Sequence, residues 1–503
     1  MKKLTIIGAG WSGLACAVAA TQAGWQVELF EAANEAGGRA RSLDQSFAGV
    51  PLDNGQHILL GAYRETLQLM RTVGVNPDDV LLRLPLDLRT ADGLGFKLPT
   101  GLLGRYANDS LPDSLPDSLP ASLPTPLPTY LSASYVTVSW PNSLLGTWDA
   151  SWKLLVGVAF AKGWSADDKW RLVQAGWRWQ VAGFTCDATW SVLQLCEASQ
   201  LTPNVVQGLI EPLCLSALNM PLQSASAAVF LRVLHDAMLS GVGSSDLLIP
   251  KTDLGALFPR ACLEWLRQRG AQVHLGSRFT QDDLAQWLGE SHGGPTTKFL
   301  QTSISQDRDE LDKKITTTGA TTKRALVIAC PAWEAARLTQ RVAPAWSAQA
   351  QALSHTAIAT VYLQCHDAGF IGLDRPMIAL QMHQTAPAQF VFDRGALCQQ
   401  PGLLAAVVSA SEGEREQISA QVQQQVAEQL GLKQLSVVQT VVEKRATFAC
   451  LPNTFEGPHH EGVKPDVFVA PHIFACGDFV RGPYPSTLEG AVRSGLQVVR
   501  HLG

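Results

Sequence analysis

The chain opens on a short apolar run, Lys3 to Ile7, whose length and branched side chains predict a buried strand. Small residues from Leu14 to Ala23 predict a close-packing helix, and Trp25 to Phe30 predicts a second strand. Strand, helix and strand in so short a space make the βαβ unit of a doubly wound parallel sheet. A second α/β section is expected from Leu247 to Ala329. There a helix over Leu257 to Gln268 leads into QVHLG (Gln272 to Gly276), and RALVIACP (Arg324 to Pro331) ends the section as a buried strand. A third such run, HIFACGD (His472 to Asp478), precedes a helix that starts near Thr487.

Between these parts the pattern changes. Trp140 to Phe230 reads as a long, mainly helical region, and Thr356 to Val442 carries the strand-like runs TAIATVYLQC and LLAAVVSA before a polar helix around Glu414 to Gln429. The order predicts an α/β fold in which a Rossmann-type nucleotide-binding domain is interleaved with a mixed α+β, largely helical substrate domain. The nucleotide-binding parts are expected at residues 1–85, 231–333 and 446–503, and the substrate parts at 86–230 and 334–445. Two stretches fit neither core. Asn108 to Pro128 repeats SLPD with Pro112, Pro116, Pro120 and Pro124 in step, which forbids a helix or a central strand and predicts an extended excursion. Ser291 to Arg324 is polar and Thr-rich and predicts a disordered insertion.

Composition narrows the class of protein. With 46% apolar and 17% charged residues among 503, the chain is core-forming. Its net charge of -5, without a basic block, argues against nucleic acid as a partner. Ten scattered cysteines with no CxxC pair predict a reduced, cytoplasmic protein without a disulfide framework or a metal site. The start, MKKLTIIGAGWSGLACAVAA, imitates a secretory leader, but GAGWSG breaks its apolar stretch and a different chemistry accounts for those glycines.

That chemistry is phosphate binding. Gly8 permits the tight turn from strand to helix, Gly10 lets a pyrophosphate approach the backbone, and Gly13 allows the helix to pack on the strand. Glu31, at the end of the next strand, is placed to accept hydrogen bonds from a ribose diol. No second GxGxxG follows a strand, since GVGSSD at Gly241 lacks the third glycine. The sequence therefore shows no nicotinamide site and names no electron donor.

Just after Glu31, EAANEAGGRARS places Gly37, Gly38 and Arg39. This resembles the second nucleotide motif of the flavin-containing amine oxidase and phytoene desaturase superfamily. The resemblance implies FAD, with the paired glycines passing close to it and Arg39 supplying a cation for the diphosphate. CGDFVRGPYPSTLEGAVRSG (Cys476 to Gly495) resembles that superfamily's C-terminal signature. By that resemblance Asp478, after Gly477, bonds the ribityl chain and the Leu488 backbone meets the ring edge. The helix N-terminus near Glu489 and Gly490 would face the pyrimidine, where reduction builds negative charge.

DNGQHILLGAY (Asp53 to Tyr63) is similar to a string of the bacterial hydroxysqualene dehydroxylases, and it would set Gly55, Gln56 and His57 beside the flavin ring. EPLCLSALN (Glu211 to Asn219) and LIPKTDLGALFP, ending at Pro259, support the likeness. Members of that family reduce hydroxysqualene to squalene with loss of water, for hopanoid synthesis. The resemblance thus implies a polyprenoid substrate, an apolar tunnel and peripheral contact with the inner face of a membrane. An acid near the hydroxyl is needed, and His57 is the candidate because an ordinary imidazole titrates near neutrality. Of the chain's 14 tryptophans, Trp140, Trp148, Trp152, Trp164, Trp170, Trp177, Trp179 and Trp190 fall in the helical region. Packing accounts for most of them, with a minority left for a tunnel wall or a membrane-facing patch. The runner-up is an oxidative carotenoid-type desaturase. An amine oxidase fits less well, because Thr487 stands where those enzymes place one aromatic of their cage. A non-catalytic flavin-binding assembly protein is the remaining alternative.

Overall fold

The computed structural model describes residues 2–99, 155–241, 243–292, 323–453 and 463–502. The SLPD repeat, Trp140, Trp148, Trp152 and all but the ends of the Thr-rich insertion lie outside them. Those ends are regular elements: Ser291 lies in the last turn of the helix Gln281–His292, and Arg324 lies in a strand.

Sixteen strands are described, and the first builds the core of one half of the molecule. β1 (Lys2–Ile7) pairs in parallel with β2 (Gln26–Phe30) on one side and with β9 (Lys323–Ile328) on the other. β2 carries β8 (Gln272–His274) at one edge of the sheet. β9 carries β16 (Ile473–Ala475), and β15 (Phe468–Ala470) closes the other edge antiparallel. The order β15-β16-β9-β1-β2-β8 therefore joins three distant parts of the chain. Leu4, Ile6, Leu326, Val327 and Ile328 are buried, as the central strands of a parallel sheet covered on both faces must be. The helix Trp11–Gln22 follows β1 and packs against the last helix, Leu488–Leu502. A Cβ on Gly495 would come within 2.2 Å of the Ser12 carbonyl oxygen, so this crossing needs a glycine.

The start of the second α/β section forms a strand outside this sheet. β7 (Leu247–Pro250) pairs antiparallel with β5 (Leu59–Leu60) and β6 (Leu81–Leu84) in a separate three-stranded sheet. All four residues of β7 are buried, and a short apolar run reveals burial without revealing which sheet receives it. β3 (Ser42–Phe47) and β4 (Val50–Asp53) form a hairpin beside it.

The second half is an antiparallel sheet in the order β11-β12-β13-β10-β14. Its strands are β10 (His355–Cys365), β11 (Met377–Ala379), β12 (Phe390–Asp393), β13 (Leu403–Ser409) and β14 (Leu435–Phe448). Side chains alternate across it. Val361 and Leu363 face the helix Arg415–Leu430 through Ile418, Val422 and Val426, whereas Tyr362, Phe390 and Phe392 join the main core. Helices over Ala166–Val181, Val192–Ala198, Glu211–Leu218 and Ala227–Leu239 complete this half. The first two start at Ser165 and Ser191, each closing a capping box with the residue three positions on.

Candidate active site

The glycine turn has the geometry its spacing calls for. Gly8 sits at φ +108, and a Cβ there would lie 2.8 Å from the Ala329 carbonyl oxygen. A Cβ on Gly13 would meet the Gly8 carbonyl at 2.0 Å. Gly10 differs, because its nearest neighbour would be Gly38 Cα at 3.9 Å, with open space beyond. The Gly37 amide donates to the Ala9 carbonyl at 2.8 Å, which lays the Gly-Gly turn against the first turn of the helix. Gly37 and Gly38 both have positive φ, +115 and +63, which side chains resist. The Glu31 carboxylate accepts from the Ala9 and Ala33 amides at 2.7 and 2.9 Å and so is held at the strand end.

Arg39 and Asp478 meet across 439 residues. Arg39 Nη2 donates to Asp478 Oδ1 at 2.5 Å and Nη1 to the Ala446 carbonyl at 2.6 Å. Burial pushes the Asp478 carboxyl up, but Arg39, with lesser help from Ser486 and Lys464, holds it below the ordinary carboxylate range. Lys464 is itself buried, and desolvation lowers its ammonium to about 8 against the pull of Asp478. Sequence reasoning missed Lys464, which no motif marks.

Thr487 Oγ1 accepts from the Gly490 amide at 3.1 Å and opens the last helix, so the Leu488 backbone stands at its N-terminus. Glu489 is 2% exposed, and its carboxylate turns to another helix, Arg64–Thr72. It accepts from the Glu65 and Thr66 amides at 3.2 and 2.9 Å and from Thr66 Oγ1 at 2.7 Å, while Arg493 Nε donates to it at 2.7 Å. Its side chain thus fixes two helices relative to each other, leaving only its backbone for a ligand.

The loop Asn54–Ile58 crosses between the two halves. Asn54 Nδ2 donates to the Arg39 carbonyl and to Glu443 Oε2, both at 3.1 Å. Gln56 Oε1 accepts from Arg394 Nη1 at 3.3 Å. His57 Nδ1 lies 3.0 Å from the Gly55 carbonyl. A carbonyl can only accept, so the neutral ring carries its proton on Nδ1 and presents Nε2 as an acceptor. Burial, with a smaller contribution from Arg39, pulls the His57 pKa below its usual value, and the Gly55 bond opposes this. The imidazolium is therefore scarcer at neutral pH than an ordinary histidine would make it.

Of the site residues that the sequence picks out, all but Gly13 line one cavity of about 830 Å³, and Lys464 lies outside its wall. One end is framed by Gly10, Gly37, Gly38 and Glu31. Leu86, Leu213, Phe230, Val233, Phe390 and Phe392 give the cavity wall a large apolar share. Asn219 holds that wall to the sheet: its Nδ2 donates to Thr356 Oγ1 and Thr447 Oγ1, both at 2.9 Å. Of the five described tryptophans in the helical region, none lines the cavity. Trp179 is buried with Nε1 on Ser199 Oγ, Trp164 stacks on Phe96, and Trp170 and Trp177 face outward. Thr487 and Tyr484 do line it, and the Arg232 and Arg493 guanidinium groups stand 5.5 and 5.1 Å from the Tyr484 ring centre. Each of these cations is paired with a carboxylate that also lines the cavity, Arg232 with Asp236 at 3.0 Å and Arg493 with Glu489 at 2.7 Å. Among the described residues, no group of His, Cys, Asp and Glu could hold a metal ion.

The arrangement is that of a dinucleotide site sharing its cavity with apolar side chains, and comparison with known proteins places it further. Residues 11–502 match the flavin containing amine oxidoreductase family, and the chain belongs to that family. It is 24% identical over 495 residues to hydroxysqualene dehydroxylase of Zymomonas mobilis, covering 97% of this chain and 96% of that protein. It is 23% identical over 505 residues to the Sinorhizobium fredii protein of that name, covering 98% and 96%. The fold is shared with an oxidoreductase from Methanosarcina mazei, with a TM-score of 0.59 at 14% identity over 99% of this chain and all of that one.

The protein is an FAD-dependent oxidoreductase. Its residues fit that cofactor. The space at Gly10 that a side chain would fill is where a pyrophosphate would lie, Glu31 would take the ribose, and the helix start at Leu488 would meet the ring.

Proposed function

We propose that this enzyme reduces hydroxysqualene to squalene with loss of water, in hopanoid or related triterpenoid synthesis. The observation that carries the proposal is that one cavity is lined both by the glycine turn with Glu31 and by apolar side chains such as Leu213, Phe230, Phe390 and Phe392. The names of two near-full-length relatives point the same way. In the division of labour we propose, residues 1–85, 231–333 and 446–503 hold FAD, and 86–230 and 334–445 hold the polyprenoid.

Reduced FAD supplies a hydride when bound. The chain's own part is to bind, exclude water and deliver a proton. Leu213, Phe230, Phe390 and Phe392 would sheath the hydrocarbon and keep water from the allylic cation left when the hydroxyl departs. Hydroxide leaves poorly, so the oxygen needs a proton, and His57 Nε2 in its protonated form would donate it. Arg39 and Asp478 would hold the ribityl side, and the last helix's N-terminus would stabilise the negative charge of the reduced ring.

The test is anaerobic. Flavin reduced in place should be reoxidised by hydroxysqualene in a single turnover that yields squalene, and oxidised protein should leave the alcohol untouched. Conversion of a polyene to a more conjugated product by oxidised protein would replace this reading with desaturation.

A further inference from the structure

The helix Ala166–Val181 turns Asp168, Leu172, Ala175 and Trp179 into the protein. On the opposite side stand Trp170, Trp177 and Val181, brought into one row by the helical repeat and 61%, 66% and 69% exposed. A water-facing helix side is ordinarily polar, so this helix is apolar on both faces. Phe160, 79% exposed, and Leu155, 49% exposed, stand on the neighbouring helical residues 155–160. Lys169 Nζ donates to the Ala159 carbonyl at 2.8 Å and holds that segment alongside. A contiguous apolar patch with a polar rim marks an interaction site, whereas single exposed apolar residues mark nothing.

The rim identifies the partner. Lys162, Lys169, Arg171 and Arg178 flank these residues along the chain, against two exposed carboxylates: Asp167, which pairs with Arg171 at 2.8 Å, and Asp92 on the adjoining hairpin. Indole rings amid lysine and arginine suit the headgroup level of a bilayer that carries negative charge. The patch is also joined to the cavity. Leu86 and Leu88 line the chamber, and their hairpin returns through Phe96 and Leu98. Gly95 of that hairpin exchanges backbone hydrogen bonds with Lys162 at 3.1 and 3.2 Å, and Leu94 at its tip is exposed beside Gly163.

We propose that Phe160, Trp170, Trp177 and Val181 form the face by which this protein rests on an anionic lipid bilayer, with the substrate chamber behind it. The purpose of this face rests on the proposed lipophilic substrate, but its detection needs no turnover.

The experiment uses the full, flavin-loaded chain and vesicles of phosphatidylglycerol and phosphatidylcholine in equal parts, or of phosphatidylcholine alone. The protein should co-sediment with the anionic vesicles, less so as salt rises. The double variant Trp170→Gln/Trp177→Gln should lose roughly tenfold in partitioning, as expected for an interfacial helix stripped of its aromatic anchors. Its flavin content, melting temperature and turnover of detergent-dispersed substrate should stay unchanged. Absence of wild-type binding, or equal binding by the variant, would overturn the proposal. So would a lipid-free protein that sediments as a dimer in the wild type and as a monomer in the variant, since the face would then belong to a second copy. Hydroxysqualene turnover without vesicle binding would sink the surface and spare the function, and the reverse would do the opposite.

Discussion

Arg394 and Asp53, 341 residues apart, form an ion pair of 2.9 Å in which the side chains are 0% and 2% exposed. Arg394 Nε also donates to Gln400 Oε1, and Asp53 Oδ1 accepts from the Leu254 amide, both at 2.8 Å. Burial pushes the Asp53 carboxyl up to about 6, with Arg394 and the Leu254 amide pulling against it. The pair pins the root of the His57 loop to the end of β12. Removing one partner leaves an uncompensated buried charge. Arg394→Met should cost about 3–5 kcal/mol in chemical denaturation. The double change with Asp53→Leu should recover much of that loss, and a double variant no more stable than the single one would assign the cost to lost packing.

Gly10 and Gly13 separate cofactor binding from folding. Gly10→Val meets open space in the protein, so the variant should fold with a nearly normal circular dichroism spectrum and melt, yet bind no FAD. Gly13→Val drives a side chain into the Gly8 carbonyl and should fail to fold. Stoichiometric flavin in purified Gly10→Val would show that the pyrophosphate lies elsewhere.

His57 carries the pH prediction. Only the imidazolium can donate from Nε2, so single-turnover hydride transfer should be fastest in acid and fall as pH rises. Because burial depresses the His57 pKa, the half-point should lie below about 6.5, the ordinary imidazole value. His57→Gln should keep FAD and lose roughly 10²–10⁴-fold in that step, the range of a positioned general acid. An unchanged rate and pH profile in the variant would make His57 structural.

Glu489 tests positioning against binding. Glu489→Leu strands the Glu65 and Thr66 amides and frees Arg493, and should destabilise by about 3 kcal/mol, the upper range for hydrogen bonds to a charged acceptor. FAD bound per folded molecule should be unchanged at low temperature. A variant of normal stability that has lost its flavin would place the carboxylate on the cofactor instead.

Local rules written into the chain determined its nucleotide-binding strands and turns. The run Lys3–Ile7, the glycines at 8, 10 and 13, and Glu31 lie within one βαβ unit, where steric limits on a short segment leave few conformations. RALVIACP and HIFACGD were legible as strands for the same reason, being apolar throughout and bounded by turn formers. Tertiary structure alone decided the rest. β7 has the same apolar signature as those strands but pairs with β5 and β6, because burial is written in composition and partnership is not. A charged residue inside an apolar run, Arg394 in FVFDRGALC, is a signal that something must neutralise it, yet nothing local identifies Asp53. The tryptophans differ only in which side of a helix meets the core, so Trp179 became packing while Trp170 and Trp177 were left on the surface. His57 changed most: its sequence offers an ordinary imidazole, and only the fold's low-polarity surroundings, with Arg39 nearby, make its proton harder to hold.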